Sequence, residues 1–290
     1  MSEKKEIKNK INCISNTKKI TKAMEMVSIA KMKKSEIKMK SRKPYLDIIK
    51  TIISHILYNH IKYRHLYLNN RKTKKIGIIV ISTDRGLCGS LNISLFKKII
   101  QLINIYKNKN VMSSLFILGS KGVSYFKSST YDITYYEKII TKNYTFFDCL
   151  NFIHSSLEYY NTQKIDKLFL SYNQFKNTLV YIPVIMQLLP LSKKIFKGNK
   201  NSHWDYIYES NSGILLDTLL NDYIESQIYQ SILENCTCEQ ASRMISMKQA
   251  TDNSEDLIKK LRILYNKARQ DNITQELTEI ISGANAVSLY

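Results

Sequence analysis

The stretch KEIKNKINCISNTKKITKAMEMVSIAKMKKS, from Lys5 to Ser35, contains neither glycine nor proline. Its apolar side chains recur at intervals of three, four and six residues: Ile7, Ile11, Ile14, Ile20, Met24 and Val27. This spacing predicts a helix with one narrow apolar stripe, extending over residues 1–58 with Pro44 as its only breaker. At a rise of 1.5 Å per residue, such a helix would reach about 80 Å, far more than a small domain needs.

Residues 211–287 repeat the pattern, with Gly213 near the start, Gly283 near the end and no glycine between them. The predicted stripe consists of Leu216, Leu219, Leu220, Tyr223, Ile224, Leu257, Leu261, Leu264, Ala268, Leu277, Ile280, Ile281 and Ala284. The stripe is poor between Arg243 and Asp256, and a long helix with a thin stripe cannot bury itself in an ordinary core. We therefore predict that the two terminal helices pair with each other.

The charges of the two ends agree with this pairing. Residues 1–50 carry fifteen Lys and Arg against five Asp and Glu, whereas residues 211–290 carry seven against eleven. Opposite charge favours association and register, as it does at the flanking positions of coiled coils. Exposed ion pairs contribute only tenths of a kcal/mol, so burial of the stripe must supply most of the stability.

Residues 74–205 change to an alternating α/β pattern. The predicted strands are Ile76–Ser82, Leu115–Gly119, Leu168–Tyr172 and Leu179–Ile185, and the predicted helices are Asn92–Lys107 and Thr145–Asn161. Alternating strands and helices imply a small, partly parallel sheet covered by helices. The predicted fold class is α/β plus a long coiled coil, with a Rossmann-like α/β domain inserted between the paired terminal helices.

The segment STDRGLCGSLN, residues 82–92, resembles the start of a nucleotide site. A dinucleotide fingerprint needs three glycines, whereas only Gly86 and Gly89 are present and Asp84 would repel a phosphate. The P-loop ending is also missing, and GSKG at 119–122 is a second incomplete match. We interpret both segments as tight strand-to-helix turns, with Ser90 or Asn92 capping the following helix. The alternative is a dehydrogenase whose active site lies in this middle region, and it predicts that the chain alone binds a nucleotide.

Composition leaves few other functional classes. A formal charge of +20 suggests a basic coiled-coil module that binds nucleic acid or anionic membrane through residues 1–43, and this is the alternative function. Thirty-seven Lys against seven Arg weaken this alternative, because Arg supplies most bidentate phosphate contacts.

Five scattered cysteines indicate free thiols, and the pair Cys236 and Cys238 has no second pair at metal-ligand spacing. No catalytic set, metal site or membrane-spanning segment is predicted.

The two ends also carry a family resemblance. The Lys5–Ser35 stretch and NKARQDNITQELTEIISGANAV, residues 266–287, resemble the γ subunit of the F-type ATP synthase, and ITQELTEIISGANA matches that family's C-terminal signature. STDRGLCGSLN and WDYIYES (204–210) are similar to bacterial forms. The resemblance implies an antiparallel coiled coil turning inside a ring of α and β subunits. It implies a rotor shaft that couples proton flow to ATP synthesis, without a catalytic centre, cofactor or nucleotide of its own.

The resemblance also implies contact residues. Seven positions match the family's β-subunit contact and coupling sites: Lys22, Met24, Arg243, Arg269, Gln270, Thr274 and Glu276. Three match the foot that meets the c ring and the ε subunit: Tyr206, Tyr208 and Glu209. The implied partners are the α, β and ε subunits and the c ring, without nucleic acid. Membrane association would be indirect, peripheral on the cytoplasmic face of the bacterial inner membrane.

Overall fold

The computed structural model describes residues 2–59, 65–128, 131–138, 145–192 and 212–288. Five helices and five strands lie within these ranges. In chain order they are α1 (Ser2–Asn59), β1 (Lys75–Ile81), α2 (Leu91–Lys107), β2 (Met112–Leu118), α3 (Ser120–Lys127), β3 (Asp132–Glu137), α4 (Phe146–Asn161), β4 (Lys167–Phe175), β5 (Tyr181–Leu189) and α5 (Ser212–Ser288). The predicted fold class is confirmed: long N- and C-terminal helices pair, and a mixed five-stranded α/β sheet is inserted between them in the chain.

The chain forms two compact units. The first consists of Met1–Ser28 and Arg243–Tyr290, and the second of Ile29–Ser242. Each of the two long helices therefore contributes one part to the first unit and the remainder to the second, and α1 continues through Pro44. The division into segments 1–58, 74–205 and 211–287 remains a prediction.

The sheet of the second unit has the strand order β3-β2-β1-β4-β5. The pairs β1–β2, β1–β4 and β2–β3 are parallel, whereas β4 and β5 form an antiparallel pair. The central strand β1, KIGIIVI, is buried over six of its seven residues, as expected for a strand covered on both faces. The expected partly parallel sheet is therefore present.

Alternate residues of the sheet serve two different hydrophobic layers, because successive strand side chains point to opposite faces. On one face, Ile79 and Ile81 pack in a cluster with residues of α1, α4 and α5. On the other, Ile78 and Val80 pack with residues of α2 and α3. The predicted stripe at the start of α5 lies in the first layer, where Leu216, Leu220, Tyr223 and Ile224 are buried and Leu219 is partly buried.

Two elements were not predicted. The edge strand β3, DITYYE, has no fully buried residue, so it lacks the apolar run that marks the other strands. The eight-residue helix α3 is too short to show a helical period. The fourth predicted strand, Leu179–Ile185, begins two residues before β5 and ends four residues before the end of β5. Leu179 and Val180 lie in the turn before β5, where Asn177 Oδ1 accepts hydrogen bonds from both backbone N–H groups.

Candidate functional site

In the first unit, α1 and α5 run antiparallel. The hydroxyls of Thr21 and Thr251 share a hydrogen bond of 2.8 Å, and Lys18 Nζ donates to Glu255 Oε2 at 2.9 Å. Moving three residues back in α1 thus corresponds to moving four residues forward in α5. The Lys18 contact holds the pKa of the Glu255 carboxyl below its ordinary value.

The seam between these helices follows a heptad repeat. Buried or partly buried positions alternate at intervals of three and four residues in both helices: 4, 7, 11, 14, 18, 21, 25 and 28 in α1, and 247, 251, 254, 258, 261, 265, 268 and 272 in α5. This period of 3.5 residues is typical of a left-handed coiled coil. The most buried layers are largely polar: Thr21, Glu25, Ser28, Thr251 and Ser254.

The structure confirms one part of the predicted apolar stripe and corrects another. Five predicted stripe residues occupy partly buried seam positions: Ile7, Ile11, Ile14, Leu261 and Ala268. Ile20 and Val27 of α1 are exposed, at 60% and 52%, and Leu257 and Leu264 of α5 are also exposed. Their apolar character was counted toward the seam, whereas the polar residue next to each of Ile20 and Val27 occupies it. Glu25 tolerates burial because Lys22 Nζ lies 3.1 Å from its carboxylate. The seam is thus polar at its most buried layers and apolar toward the start of α1.

Three of the predicted coupling residues lie in the first unit near this seam. Lys22 is exposed, with its ammonium on Glu25, and Met24 is partly buried. Arg243 is buried, eight residues before Thr251 and therefore about 12 Å along the helix axis. These residues occupy one stretch of the helix pair, and their role in contacting β remains a prediction.

The other four predicted coupling residues lie near the end of α5, where Arg269, Gln270, Thr274 and Glu276 are all exposed. Within the described part of the chain, Arg269 forms no ion pair with an acidic neighbour on its helix. The guanidinium therefore faces solvent in the isolated chain, where a partner could accept its hydrogen bonds.

An apolar strip beside these residues is exposed, although its residues were predicted to be covered by α1 or were not singled out in the sequence. Ile273, Leu277, Ile280 and Ile281 are exposed by 44%, 54%, 67% and 59%. Their spacing of four, three and one places them on one side of the helix, with Gln270 on the same side and Arg269 at its edge. The last three belong to the predicted stripe of α5, and their exposure shows that α1 does not cover them.

The predicted foot residues Tyr206, Tyr208 and Glu209 lie outside the described residues, as does the rest of the segment 193–211.

The segment 82–92 forms the strand-to-helix turn between β1 and α2. Asp84 Oδ1 accepts hydrogen bonds from the backbone N and the hydroxyl of Ser120, at 2.8 and 3.0 Å, so its carboxylate caps the first turn of α3. A helix N-terminus can bind a phosphate, and at α3 a side chain of the same charge occupies it. Gly119 turns the chain into α3 with a φ of +105°, as the turn interpretation of GSKG requires.

The prediction that the Ser90 or Asn92 side chain caps α2 is wrong. Ser90 stands at the N-cap of α2 but makes no side-chain capping bond, and its hydroxyl lies 3.2 Å from the hydroxyl of Tyr181. Asn92 instead donates to Thr83 Oγ1 at 2.7 Å. Both side chains hold the loop to its neighbours rather than satisfying the helix terminus.

The cysteines point toward different partners. Cys236 Sγ lies 3.5 Å from Ser35 Oγ, whereas Cys238 donates to the carbonyl of Asn173 at 3.3 Å. Burial raises the pKa of the Cys238 thiol and raises that of Cys149 to about 12.

Within the described ranges, no group of three or more His, Cys, Asp and Glu side chains is placed to hold a metal ion. No helix there combines the length and apolar character needed to cross a membrane.

Comparison with known proteins adds a consistent set of relatives. A family model described as ATP synthase matches residues 3–287. The chain is 62% identical over 289 residues to an ATP synthase gamma chain of Buchnera aphidicola subsp. Melaphis rhois, with 100% of both chains covered. It is 50% identical over 289 residues, again with 100% of both covered, to the gamma chain of B. aphidicola subsp. Acyrthosiphon pisum (strain APS).

Solved structures agree in fold. A chain of the central stalk and c ring of the Tetrahymena thermophila mitochondrial ATP synthase matches with a TM-score of 0.60 and 25% identity, covering 80% of this chain and 99% of that one. A chain of the Euglena gracilis mitochondrial enzyme in rotational state 3 matches with a TM-score of 0.65, covering 99% and 95%. Its 18% identity supports the fold alone.

Proposed function

The chain belongs to the γ-chain family of ATP synthase, and from this premise we propose that its paired helices turn inside a ring of α and β chains to drive their conformational changes. It is a non-catalytic subunit, the central-stalk rotor of an F-type ATP synthase. The finer assignments concern which residues touch which partner. They rest on the family resemblance, and the exposed surfaces described above support some of them.

The exposed apolar row of α5 carries the proposal. Ile273, Leu277, Ile280 and Ile281 leave a continuous apolar strip on a helix that α1 does not cover there. Such a strip in water favours association with a partner that buries it. A ring that encloses the end of α5 would provide that burial. The strip is therefore the expected bearing of the shaft.

The polar seam fits the same role. A shaft must contact each β chain differently at any instant, because a ligand shifts a conformational equilibrium only as far as it binds the alternative states differently. Two helices without threefold symmetry meet that condition. Where the seam is closed by Thr, Ser and Glu side chains, apolar residues such as Ile20 and Val27 remain outward, available for shallow contacts with the ring.

We assign the coupling contacts to two levels of the first unit. Arg269, Gln270, Thr274 and Glu276 are proposed to meet a β-chain loop beside the apolar strip. Exposed Arg269 can donate charge-assisted hydrogen bonds there, strong enough to position β and breakable in stages. Lys22, Met24 and Arg243 are proposed to meet the moving C-terminal part of β, where the flexible Met24 side chain can adapt to changing neighbours.

The remaining partners are proposed from family membership. Tyr206, Tyr208 and Glu209 would meet the polar loops of the c ring and the ε subunit. The chain would then lie peripherally on the cytoplasmic face of a bacterial inner membrane, attached through the membrane sector. Torque from proton flow would enter at this foot and leave at the β contacts.

Co-assembly tests the proposal. The chain is co-expressed with the α, β and ε chains of the same enzyme, and the amount recovered with tagged β is measured with the ATP-hydrolysis rate. Ile280→Glu places a charge on the apolar strip without touching a buried residue, so we expect it to lower recovery of the chain with β. Ile105→Glu is the matched control, because Ile105 is an exposed isoleucine of α2 outside the proposed bearing.

Normal recovery and hydrolysis with Ile280→Glu would remove the strip from its assigned role. Failure of the unaltered chain to join tagged β would contradict the proposal as a whole.

A further inference from the structure

We propose that the carboxyl edge of the sheet, where doubly wound folds bind their ligands, here grips α5 as a clamp that stops the helix from turning against the α/β region under load. This inference rests on the proposed rotor function and adds the residues through which torque passes into α5. All of its contacts lie within the second unit.

The topology identifies the place. From the central strand β1, the chain first builds β2 and β3 on one side and then returns to place β4 on the other. Such a reversal opens a crevice outside the carboxyl ends of the two strands that flank it, and ligands of open α/β sheets bind there. In this chain the loop after β1 and the end of β4 border that position.

Three residues of α5 bond to these two segments. Asn235 Oδ1 accepts hydrogen bonds from the backbone N and the side-chain Nδ2 of Asn173 on β4, at 3.3 and 2.9 Å. Cys238 Sγ donates to the Asn173 carbonyl at 3.3 Å. Ser242 Oγ donates to the carbonyl of Cys88, in the loop after β1, at 2.6 Å. Spacings of three and four place the α5 residues on one face of the helix.

The clamp is buried. Asn173 and Cys238 are fully buried, Asn235 and Ser242 nearly so, and between 228 and 243 only Glu234 of α5 is not buried. An apolar side chain could fill this space, yet the residues here are small and polar. Apolar burial is non-directional, whereas a hydrogen bond weakens steeply with misalignment. A polar contact therefore resists rotation of α5 about its own axis.

The opposite side of α5 is held as well. Gln230 Nε2 donates to the Met39 carbonyl at 3.4 Å, and Ser35 and Cys236 are in contact, so α1 holds α5 from the side away from the sheet. Because α5 continues without interruption from Ser242 to Ser288, torque held at the clamp passes along one helix. Asn173, Asn235 and Ser242 are thus positioning residues for coupling, without contact with a nucleotide.

The test uses the assembled, membrane-reconstituted complex. Asn235→Leu removes the acceptor and leaves both Asn173 donors buried and unpaired, whereas Asn235→Asp keeps an accepting oxygen in place. Ser242→Ala removes a single hydroxyl, so it also reports if Asn235→Leu fails to assemble. Thr237→Val is the matched control, because Thr237 is fully buried on the same helix and, among the residues that the structure describes, its hydroxyl bonds within α5, to the Leu233 carbonyl.

Two quantities are measured: protons pumped per ATP hydrolysed as the gradient rises, and amide hydrogen exchange over 167–175. For Asn235→Leu and Ser242→Ala, we expect normal pumping without a gradient and early loss of pumping as the gradient builds, while hydrolysis continues. Exchange at the β4 amides should rise about tenfold or more, because a buried hydrogen bond is lost. Asn235→Asp and Thr237→Val should pump like the unaltered complex.

Pumping by Asn235→Leu and Ser242→Ala that holds to the same final gradient as the unaltered complex would overturn the clamp, and so would an equal loss with Thr237→Val. Neither result would touch the proposed rotor function, which fails only if the unaltered complex does not assemble or pump.

Discussion

The side-chain hydroxyls of Thr21 in α1 and Thr251 in α5 lie 2.8 Å apart and share a hydrogen bond inside the seam of the helix pair. Each hydroxyl also lies within hydrogen-bonding distance of a backbone carbonyl of its own helix: Thr21 of the Lys18 carbonyl, and Thr251 of the Met247 carbonyl. One hydroxyl can therefore donate across the seam while the other donates locally. This pair fixes the level at which the two helices meet.

A double-mutant cycle at this pair tests the polar seam. Thr21→Val or Thr251→Val alone leaves one buried hydroxyl without its mate across the seam, and we expect each to lower the free energy of unfolding by about 1 kcal/mol. The double variant pairs two apolar side chains of similar shape and should recover most of the loss. Urea unfolding of the four proteins measures this. Additive losses in the double variant would contradict a direct pairing.

Replacing a glycine by alanine should have opposite effects on stability at two positions, Gly119 in the turn into α3 and Gly283 in α5. A Cβ on Gly119, at a φ of +105°, would lie 2.5 Å from the Ser82 carbonyl oxygen, so Gly119→Ala should lower the free energy of unfolding by about 2 kcal/mol or more. Gly283 lies in α5, and apart from its own helix backbone and chain neighbours nothing lies within 4 Å of an added Cβ, so Gly283→Ala should raise helical stability by up to about 1 kcal/mol. Circular dichroism during urea unfolding checks both. A tolerated Gly119→Ala would mean that the turn relaxes easily.

A pH effect is expected from His65. Its Nδ1 accepts a hydrogen bond from the Tyr67 backbone N at 3.0 Å, and its Nε2 lies 3.3 Å from Asp217. Burial lowers the pKa of His65 below 6.5, with the Asp217 charge opposing the shift. The unfolded chain then binds this proton more tightly, so stability is lost as pH falls through 6.5 and is unaffected well above it.

Comparing His65→Gln with the unaltered chain at pH 8 and pH 5.5 isolates this term, since other titrating groups are shared by both proteins. The stability difference between the two should shift in favour of His65→Gln at the lower pH. His154→Gln is the control, because the His154 side chain is mostly exposed. If the difference does not change with pH, burial of His65 has no such consequence.

Arg269 provides the coupling prediction. Replacing it with Ala removes a donor of charge-assisted hydrogen bonds, worth about 2 kcal/mol, so ATP synthesis driven by a proton gradient should fall about tenfold or more in the reassembled complex. Arg262→Ala is the matched control, an exposed arginine two helical turns earlier on α5. In both variants, the free energy of unfolding of the isolated chain should equal that of the unaltered chain. Synthesis at the unaltered rate would exclude Arg269 from coupling.

Sequence patterns predicted the strands that are buried on both faces and the helices that bury one face. The β1 run Ile76–Ile81 and the stripe from Leu216 to Ile224 were placed correctly, because their covering comes from this chain. The edge strand β3 has no such covering, and its pattern gave no signal. A helix or strand can be predicted from its apolar pattern when residues of the same chain bury it.

The seam shows the limit of this reasoning. An apolar side chain indicates that something covers it, without indicating whether the cover is the same chain or another. Ile20, Val27, Leu277 and Ile280 were all assigned to the helix pair, yet all four are exposed in the chain alone. Buried polar residues such as Thr21 were missed for the converse reason, since their partner is a single hydroxyl 230 residues away in sequence.

Rotation is the most direct test of the central claim, that this chain turns as one shaft within its complex. Lys97 lies exposed on α2, and Cys13 is the exposed cysteine of the described residues, so Cys13→Ser with Lys97→Cys provides one reactive attachment point. The complex is fixed to a surface through β, a bead is attached at position 97, and ATP is added under a microscope. We predict stepwise rotation of the bead in one direction; a bead that stays still while the same complexes hydrolyse ATP would contradict the account.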